Sequence, residues 1–289
     1  MKFVASHAAA AVCLAVAAGP ALADAFSTLA VNHVTVTVID LDPNDGIAAG
    51  ISFLPDPAMY MGGALVRGEA LNYRDSINEP GAQYKSYFNR GAWPATNVAG
   101  NVHTDLATQA GSVTGSSEGV GFTAADMSGS AHSGAGQRSH FWGYASLPGS
   151  PSGLLDFTLT ANTKVVFSLD ASMSASTTIA APWQGNSESA SAMLKLFAGG
   201  LAADGVTPLE DLAEQGISVL AGESDSWSGV LSASFSNLGD ASTQGVFGAN
   251  ATIQGDAVLA AVPEPSTYGM LLGGLGLIGV LARRRHRAG

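Results

Sequence analysis

Leu155-Asp156-Phe157-Thr158-Leu159-Thr160-Ala161-Asn162-Thr163-Lys164-Val165-Val166-Phe167-Ser168-Leu169 decides the fold. Leu155, Phe157 and Leu159 are separated by single polar residues. Val165, Phe167 and Leu169 repeat the pattern after Asn162-Thr163, which reads as a tight turn. A period of two places one set of side chains on one face of an extended strand. The same grammar extends in both directions. Val34, Val36 and Val38 oppose His33, Thr35 and Thr37, and Asp42-Pro43-Asn44-Asp45-Gly46 then turns the chain into a second strand over 47–54. Strands also read at 173–179, 190–197, 217–220, 230–236 and 245–258. From Leu71 to Pro151 aromatic residues are scattered among Gly, Asn and Ser, and this region reads as short strands and long loops. One short helix is expected: Thr207 with Pro208 and Glu210 has the form of a capping box, and Gly216 would stop it. No internal repeat stands out. Eight or more closely spaced strands without recurring helices predict an all-β antiparallel sandwich, jelly-roll-like, rather than an α/β fold.

The ends of the chain carry different signals. Lys2, an apolar run over 4–18 and the small residues Ala21 and Ala23 have the form of a Sec signal peptide, with cleavage expected before Asp24. The single cysteine, Cys13, lies inside that leader, so the mature chain would have no disulfide and no thiolate ligand or nucleophile. Between Asp24 and Val262 there are 7 basic and 22 acidic residues, a balance of −15. That balance argues against nucleic acid and anionic lipid as partners.

At the other end, Val262-Pro263-Glu264-Pro265-Ser266-Thr267 precedes an uncharged Gly/Leu-rich run from Tyr268 to Ala282 and the arginines Arg283, Arg284, Arg285 and Arg287. The two prolines hold the Pro263-Glu264-Pro265 segment extended, a form that a processing enzyme can grip. The apolar run reads as a single membrane-spanning helix, and the arginines would keep its end cytoplasmic, which leaves everything before it outside the inner membrane. This three-part tail resembles the PEP-CTERM sorting signal of Gram-negative bacteria. The resemblance implies recognition and processing by an exosortase, a transient inner-membrane precursor, and delivery to the cell surface or extracellular space. An ordinary membrane anchor is the alternative. The organisation expected is a signal peptide at 1–23, an exported β-sandwich at 24–261 and a sorting signal at 262–289.

Several segments imitate sites. Gly115-Ser116-Ser117-Glu118-Gly119 matches a nucleophile-elbow pattern but lacks the strand-to-helix context that exposes the serine. Gly274 to Gly279 matches a dinucleotide fingerprint inside the apolar tail, where no βαβ unit precedes it. Asp40, Asp42 and Asn44 have the spacing of the first three calcium ligands of an EF-hand loop. Glycine then arrives one residue late and Ile51 stands where a bidentate Glu belongs, so a self-bonded turn with Gly46 at positive φ is the reading. His33, His103, His132 and His140 fit no structural zinc spacing, although Asp105, Asp126 and Glu118 lie near them in sequence. Trp93, Trp142, Trp183 and Trp227, with Tyr73, Tyr84, Tyr87 and Tyr144, are either core residues or, if exposed on one face, a surface on which sugar rings stack.

Three functions are therefore weighed. The leading one is a non-catalytic structural or adhesive protein of a biofilm matrix, with no cofactor. A glycan-binding module acting on exopolysaccharide is the second, and a secreted polysaccharide hydrolase the third. An aromatic platform on one sheet face separates the second from the first. A pocket enclosing two carboxylates revives the third.

Overall fold

The computed structural model describes residues 23–54, 64–91, 97–116, 119–133, 137–147, 154–178 and 187–258. Fourteen strands occupy them: β1 (Ala23–Asp40), β2 (Ile51–Leu54), β3 (Leu65–Tyr73), β4 (Gln83–Arg90), β5 (Val98–His103), β6 (Ala107–Gly115) and β7 (Phe122–Ser133). There follow β8 (Arg138–Ser146), β9 (Leu154–Leu159), β10 (Thr163–Thr177), β11 (Ser189–Leu201), β12 (Pro208–Leu220), β13 (Ser224–Asn237) and β14 (Thr243–Val258). A six-stranded sheet has the order β13-β10-β1-β7-β6-β5. An eight-stranded sheet has the order β12-β11-β14-β8-β3-β4, with β9 added beside β14 and β2 beside β9. The ladders are antiparallel. The larger of two hydrophobic clusters draws buried residues from both sheets, which makes the molecule an antiparallel β-sandwich.

The deciding stretch supplies the centre of that core. Leu155, Phe157 and Leu159 face inward from β9, and Val165, Phe167 and Leu169 from β10. The Asn162 turn (φ 48) carries the chain from one sheet to the other. Phe157 meets Phe167 at 5.5 Å and Phe235 at 6.0 Å, while Phe167 lies 4.3 Å from Phe247 between ring centroids. Each ring taken out of water contributes roughly 1.5–3 kcal/mol before entropy is counted. In β1 the inward residues change parity, from Leu29 and Val31 to Val34 and Val36. A register shift between Val31 and His33 makes this possible, because one extra residue restores the apolar set to the core face.

The other half of the interior is built differently. Gln109 is 1% exposed and its Nε2 donates to the Ala110 carbonyl at 2.9 Å. A Cβ on Gly68 would stand 1.6 Å from its Oε1, and one on Gly143 2.3 Å from its Nε2. Glycines on the facing sheet thus make the room that this side chain fills. Burial pushes the neighbouring Tyr87 phenol up from its usual pKa, and the Gln109 side chain opposes that shift.

Two expectations need correction. The segment from Thr207 to Gly216 is not helical: β12 runs from Pro208 to Leu220 and pairs with β11 along its whole length. The Thr207 hydroxyl donates to Asp204 Oδ2 at 2.5 Å, and Asp204 Oδ1 takes the Val206 and Thr207 amides. The capping residue is therefore used by a turn, and ladder pairing outweighs the local helical signal. The region 71–151 is also more regular than expected, with β6 and β7 spanning 9 and 12 residues. Their inward positions include Ala107, Gln109, Gly111, Gly129 and Ala131, which give little hydrophobic contrast with the outward serines. The expected signal peptide, apart from its last residue Ala23, and the tail from 259, with the expected membrane helix, lie outside the described residues. Among the described residues no helix is long and apolar enough to cross a membrane.

Candidate functional site

The outer face of the eight-stranded sheet follows from β8. Ser139, Phe141 and Ala145 point inward and are buried, so Arg138, His140, Trp142 and Tyr144 point outward. Register sets Arg67 opposite Tyr144, Glu69 opposite Trp142, and Leu71 opposite His140 on β3. Beyond β3, Phe88 is opposite Arg67 and Tyr84 opposite Leu71 on β4. On the other flank Thr252 faces Tyr144 and Gln254 faces Trp142 from β14.

Trp142 and Tyr144 have ring planes only 6° apart with centroids 6.2 Å apart. The Arg67 guanidinium lies 4.9 Å from the Trp142 ring centre and bonds Glu69 at 2.9 Å. Arg90 sits 5.4 Å from the Phe88 ring centre. Contacts of this kind contribute about 0.5–1 kcal/mol each at exposed sites, and they hold the rings in fixed orientations. Tyr84 and Phe88 remain 56% and 57% exposed, an expensive arrangement for rings that contact only water. The face combines π surfaces with amide, hydroxyl and guanidinium groups, which is the chemistry that holds a sugar ring by stacking and its hydroxyls by hydrogen bonds.

This face ends in a cleft of about 440 Å³ lined in part by Tyr73, Arg138, His140, Ser187, Ser189 and Asp256. His140 Nδ1 is 2.9 Å from Asp256 Oδ1, and the Ser189 hydroxyl donates to Asp256 Oδ2 at 3.2 Å. The carboxylate thus fixes the imidazole and is itself occupied on both oxygens. His140 precedes Trp142 by two residues on the same strand face, about 6.7 Å away along the strand, so cleft and rings adjoin.

The outer face of the six-stranded sheet offers hydroxyls instead. Thr28 meets Ser174 at 2.7 Å, Thr108 meets Ser130 at 2.8 Å and Ser168 meets Ser232 at 2.8 Å, each pair crossing between neighbouring strands. A shallow depression of about 580 Å³ there is bordered by Thr28, Asn101, Ser112, Asp126 and Ser128.

The residues singled out in the sequence separate accordingly. Tyr73, Tyr84, Trp142 and Tyr144 gather on the one face, whereas Tyr87 turns inward and Trp227 packs half-buried against the core. Trp93 and Trp183 lie outside the described residues. Phe88, Arg67 and Arg90 belong to the same surface and were not singled out. For Phe88 and Arg90 the available signal is their alternation with Lys85, Tyr87 and Asn89 on β4. His132 pairs with Asp24 at 2.7 Å and His140 with Asp256, so the histidines do not converge with Asp105, which is bonded to Gln83. Among the described residues no group of three or more His, Cys, Asp or Glu is placed to hold a metal.

Asp40 and Asp42 accept the Asp42 and Asn44 amides at 3.0 and 3.1 Å, and Gly46 has φ 75, the self-bonded turn expected. Asp45 is held below its usual pKa by the Asn162 side chain and the Ile47 amide. The Gly115–Gly119 segment joins two strands, β6 and β7, with no helix after it, and its residues 117–118 lie outside the described residues. Asp156 and Glu210 share a shallow cleft of about 300 Å³ with Phe197 and Gln244, both carboxylates on exposed strand positions. Pro263, Glu264, Pro265 and Arg283 to Arg287, like Ala21, fall outside the described residues; Ala23 opens β1 and is fully buried.

Comparison with known proteins adds one firm match. Residues 261–285 match the PEP-CTERM protein-sorting motif. No curated protein matches the chain. Among solved structures, a chain described in work on the promiscuous specificity of carbohydrate-binding modules from the β-sandwich superfamily is 9% identical. It covers 72% of this chain and 95% of its own, with a TM-score of 0.12, a likeness too slight to carry an argument. The chain is a β-sandwich protein that ends in a PEP-CTERM sorting motif, the mark of an exported protein handled by an exosortase.

Proposed function

We propose that this is a non-catalytic contact module that holds glycan on the outer face of its eight-stranded sheet after export to the cell surface or matrix. The observation that carries this reading is the convergence of Trp142 and Tyr144 from β8 with Tyr84 and Phe88 from β4 onto one face, with Arg67 of the intervening β3 laid over Trp142. Adhesion and matrix cohesion follow from many weak copies acting together, so the structural role and the glycan-binding role become one. The Sec leader brings the chain across the inner membrane, and the exosortase acts at Pro263-Glu264-Pro265 while the arginines hold the tail. Exopolysaccharide is the partner that such a module meets first.

Catalysis is not part of this reading. Glu69 and Asp256 on the face are each bonded to a base, and Asp156 and Glu210 stand exposed rather than enclosed. The direct test is retention of the full-length protein on insoluble polysaccharides, with the Trp142→Ala/Tyr144→Ala double variant beside it. Retention that is equal in both would overturn the proposal, as would release of reducing sugar that disappears on Glu210→Gln. For sorting, Glu264→Ala is expected to accumulate precursor in the inner membrane. Equal surface delivery of variant and parent would favour a plain anchor.

A further inference from the structure

Charge is distributed unevenly over the sandwich. Arg67, Arg74, Lys85, Arg90 and Arg138 come from β3, β4, the turn between them and the start of β8, so five of the seven basic residues between Asp24 and Val262 lie on the elements that carry the rings, with Lys85 alone of the strand residues at the inward parity of β4. The same elements carry three of the 22 acidic residues, Glu69, Asp75 and Glu79. Everywhere else there remain two basic residues, Lys164 and Lys195, against 19 acidic ones. A chain with a balance of −15 thus has one region of opposite sign, and that region contains the exposed rings.

Within it and at its edge, two carboxylates of the ring face are engaged at short range. Glu69 is bridged by Arg67 at 2.9 Å, and Asp256 is occupied by His140 and Ser189. The cleft beside Trp142 is lined by Arg138, His140, Tyr73 and three serines, donors suited to a planar anion, together with the one carboxylate of Asp256, which His140 and Ser189 already engage. With Nδ1 engaged by Asp256, the other ring nitrogen of His140 is left for a sugar hydroxyl. We propose that this face selects a polysaccharide bearing carboxylate groups, its sugar rings against Trp142 and Tyr144 and a carboxylate in the adjoining Arg138–His140 cleft. The inference rests on the glycan-contact reading and specifies its substrate class.

Charge complementarity sets the limit on both sides. A neutral polysaccharide offers the guanidinium and imidazole of the cleft only hydroxyls, and no charge. Nucleic acid carries about one charge per 1.7 Å and would run beyond the basic region onto acidic surface. Carboxylates spaced a sugar or more apart match a single basic cleft next to stacked rings.

The experiment is affinity electrophoresis of the full-length protein through gels containing polygalacturonate, alginate, dextran or hydroxyethylcellulose. Retardation by the two polyuronates is expected, falling as sodium chloride rises from about 50 to 500 mM. Arg138→Gln and Arg67→Gln are each expected to weaken polyuronate retardation about tenfold, as loss of a charge-assisted bond does. Circular dichroism melts would establish that both variants remain folded. Equal, salt-insensitive retardation by the neutral polymers would overturn the anionic selection and leave the glycan-contact reading standing. Retardation by none of them, or retardation untouched by Trp142→Ala, would overturn both.

Discussion

The two outer faces of this sandwich obey the same alternation and offer opposite chemistry. On the six-stranded sheet, serine and threonine recur across β1, β6, β7, β10 and β13 and pair with one another between strands. On the eight-stranded sheet, the corresponding positions of β3, β4 and β8 carry rings and guanidinium groups. Hydroxyls exposed to water cost nothing and contribute little, since each cross-strand pair replaces bonds to solvent of nearly equal strength. Exposed rings are costly, and among the described residues the two most exposed, Tyr84 and Phe88, both lie on the eight-stranded face. The difference separates a surface that only has to stay hydrated from one arranged to meet something.

The comparison can be broken from the inside outward. Phe167→Ala removes a ring shared by both sheets and should destabilise the fold by about 3–5 kcal/mol, seen as a lower urea midpoint; both faces would suffer together. Trp142→Ala/Tyr144→Ala should cost at least about 2 kcal/mol of glycan affinity while the melting temperature holds. Ser168→Ala/Ser232→Ala, which deletes a hydroxyl pair of the opposite face, should change stability by no more than about 0.5 kcal/mol and leave glycan affinity as it was. A loss of binding in that variant equal to the loss in the aromatic one would erase the distinction between the faces.

The smallest effect is a titration far from either face. Asp204 is held at a pKa of about 2, first by the Thr207 hydroxyl and then by the Thr207 and Val206 amides. Its folded value lies below the ordinary 3.8, so its contribution is present above that value and is lost as pH falls through about 2. The amide resonances of Val206 and Thr207 should shift with that midpoint; a midpoint near 3.8 would show that the turn does not hold the carboxylate.

The sequence disclosed these regions unequally, for physical reasons. Where the inward residue is Phe, Leu or Val, as in β9 and β10, the period of two is plain. Where it is Gly, Ala or Gln, as in β6 and β7, both faces look alike in composition and the strands read as loops. The helix expected after Thr207 rested on local signals that pairing with β11 outweighed. The aromatic residues themselves were evident, but the side each would take was not. Trp142 and Trp227 differ only in the parity of their position within a strand, and register with the neighbours decides it. The positions of Arg67 and Phe88 depend on the same long-range pairing, which no local pattern encodes.

The place of β1 bears on the timing of export. It lies in the middle of its sheet with β10 and β7 on either side, and the pairing begins at its first residues. Ala23 registers with Ser133, while Asp24 donates its amide to Thr178 Oγ1 at 2.8 Å and accepts the Thr178 amide at 3.1 Å. A peptidase grips an extended backbone that has no other partner, and a bond inside a central strand becomes available only when the structure around it opens. A cut before Asp24, where the sequence predicts one, would therefore have to come before the sheet closes, while the chain is still emerging.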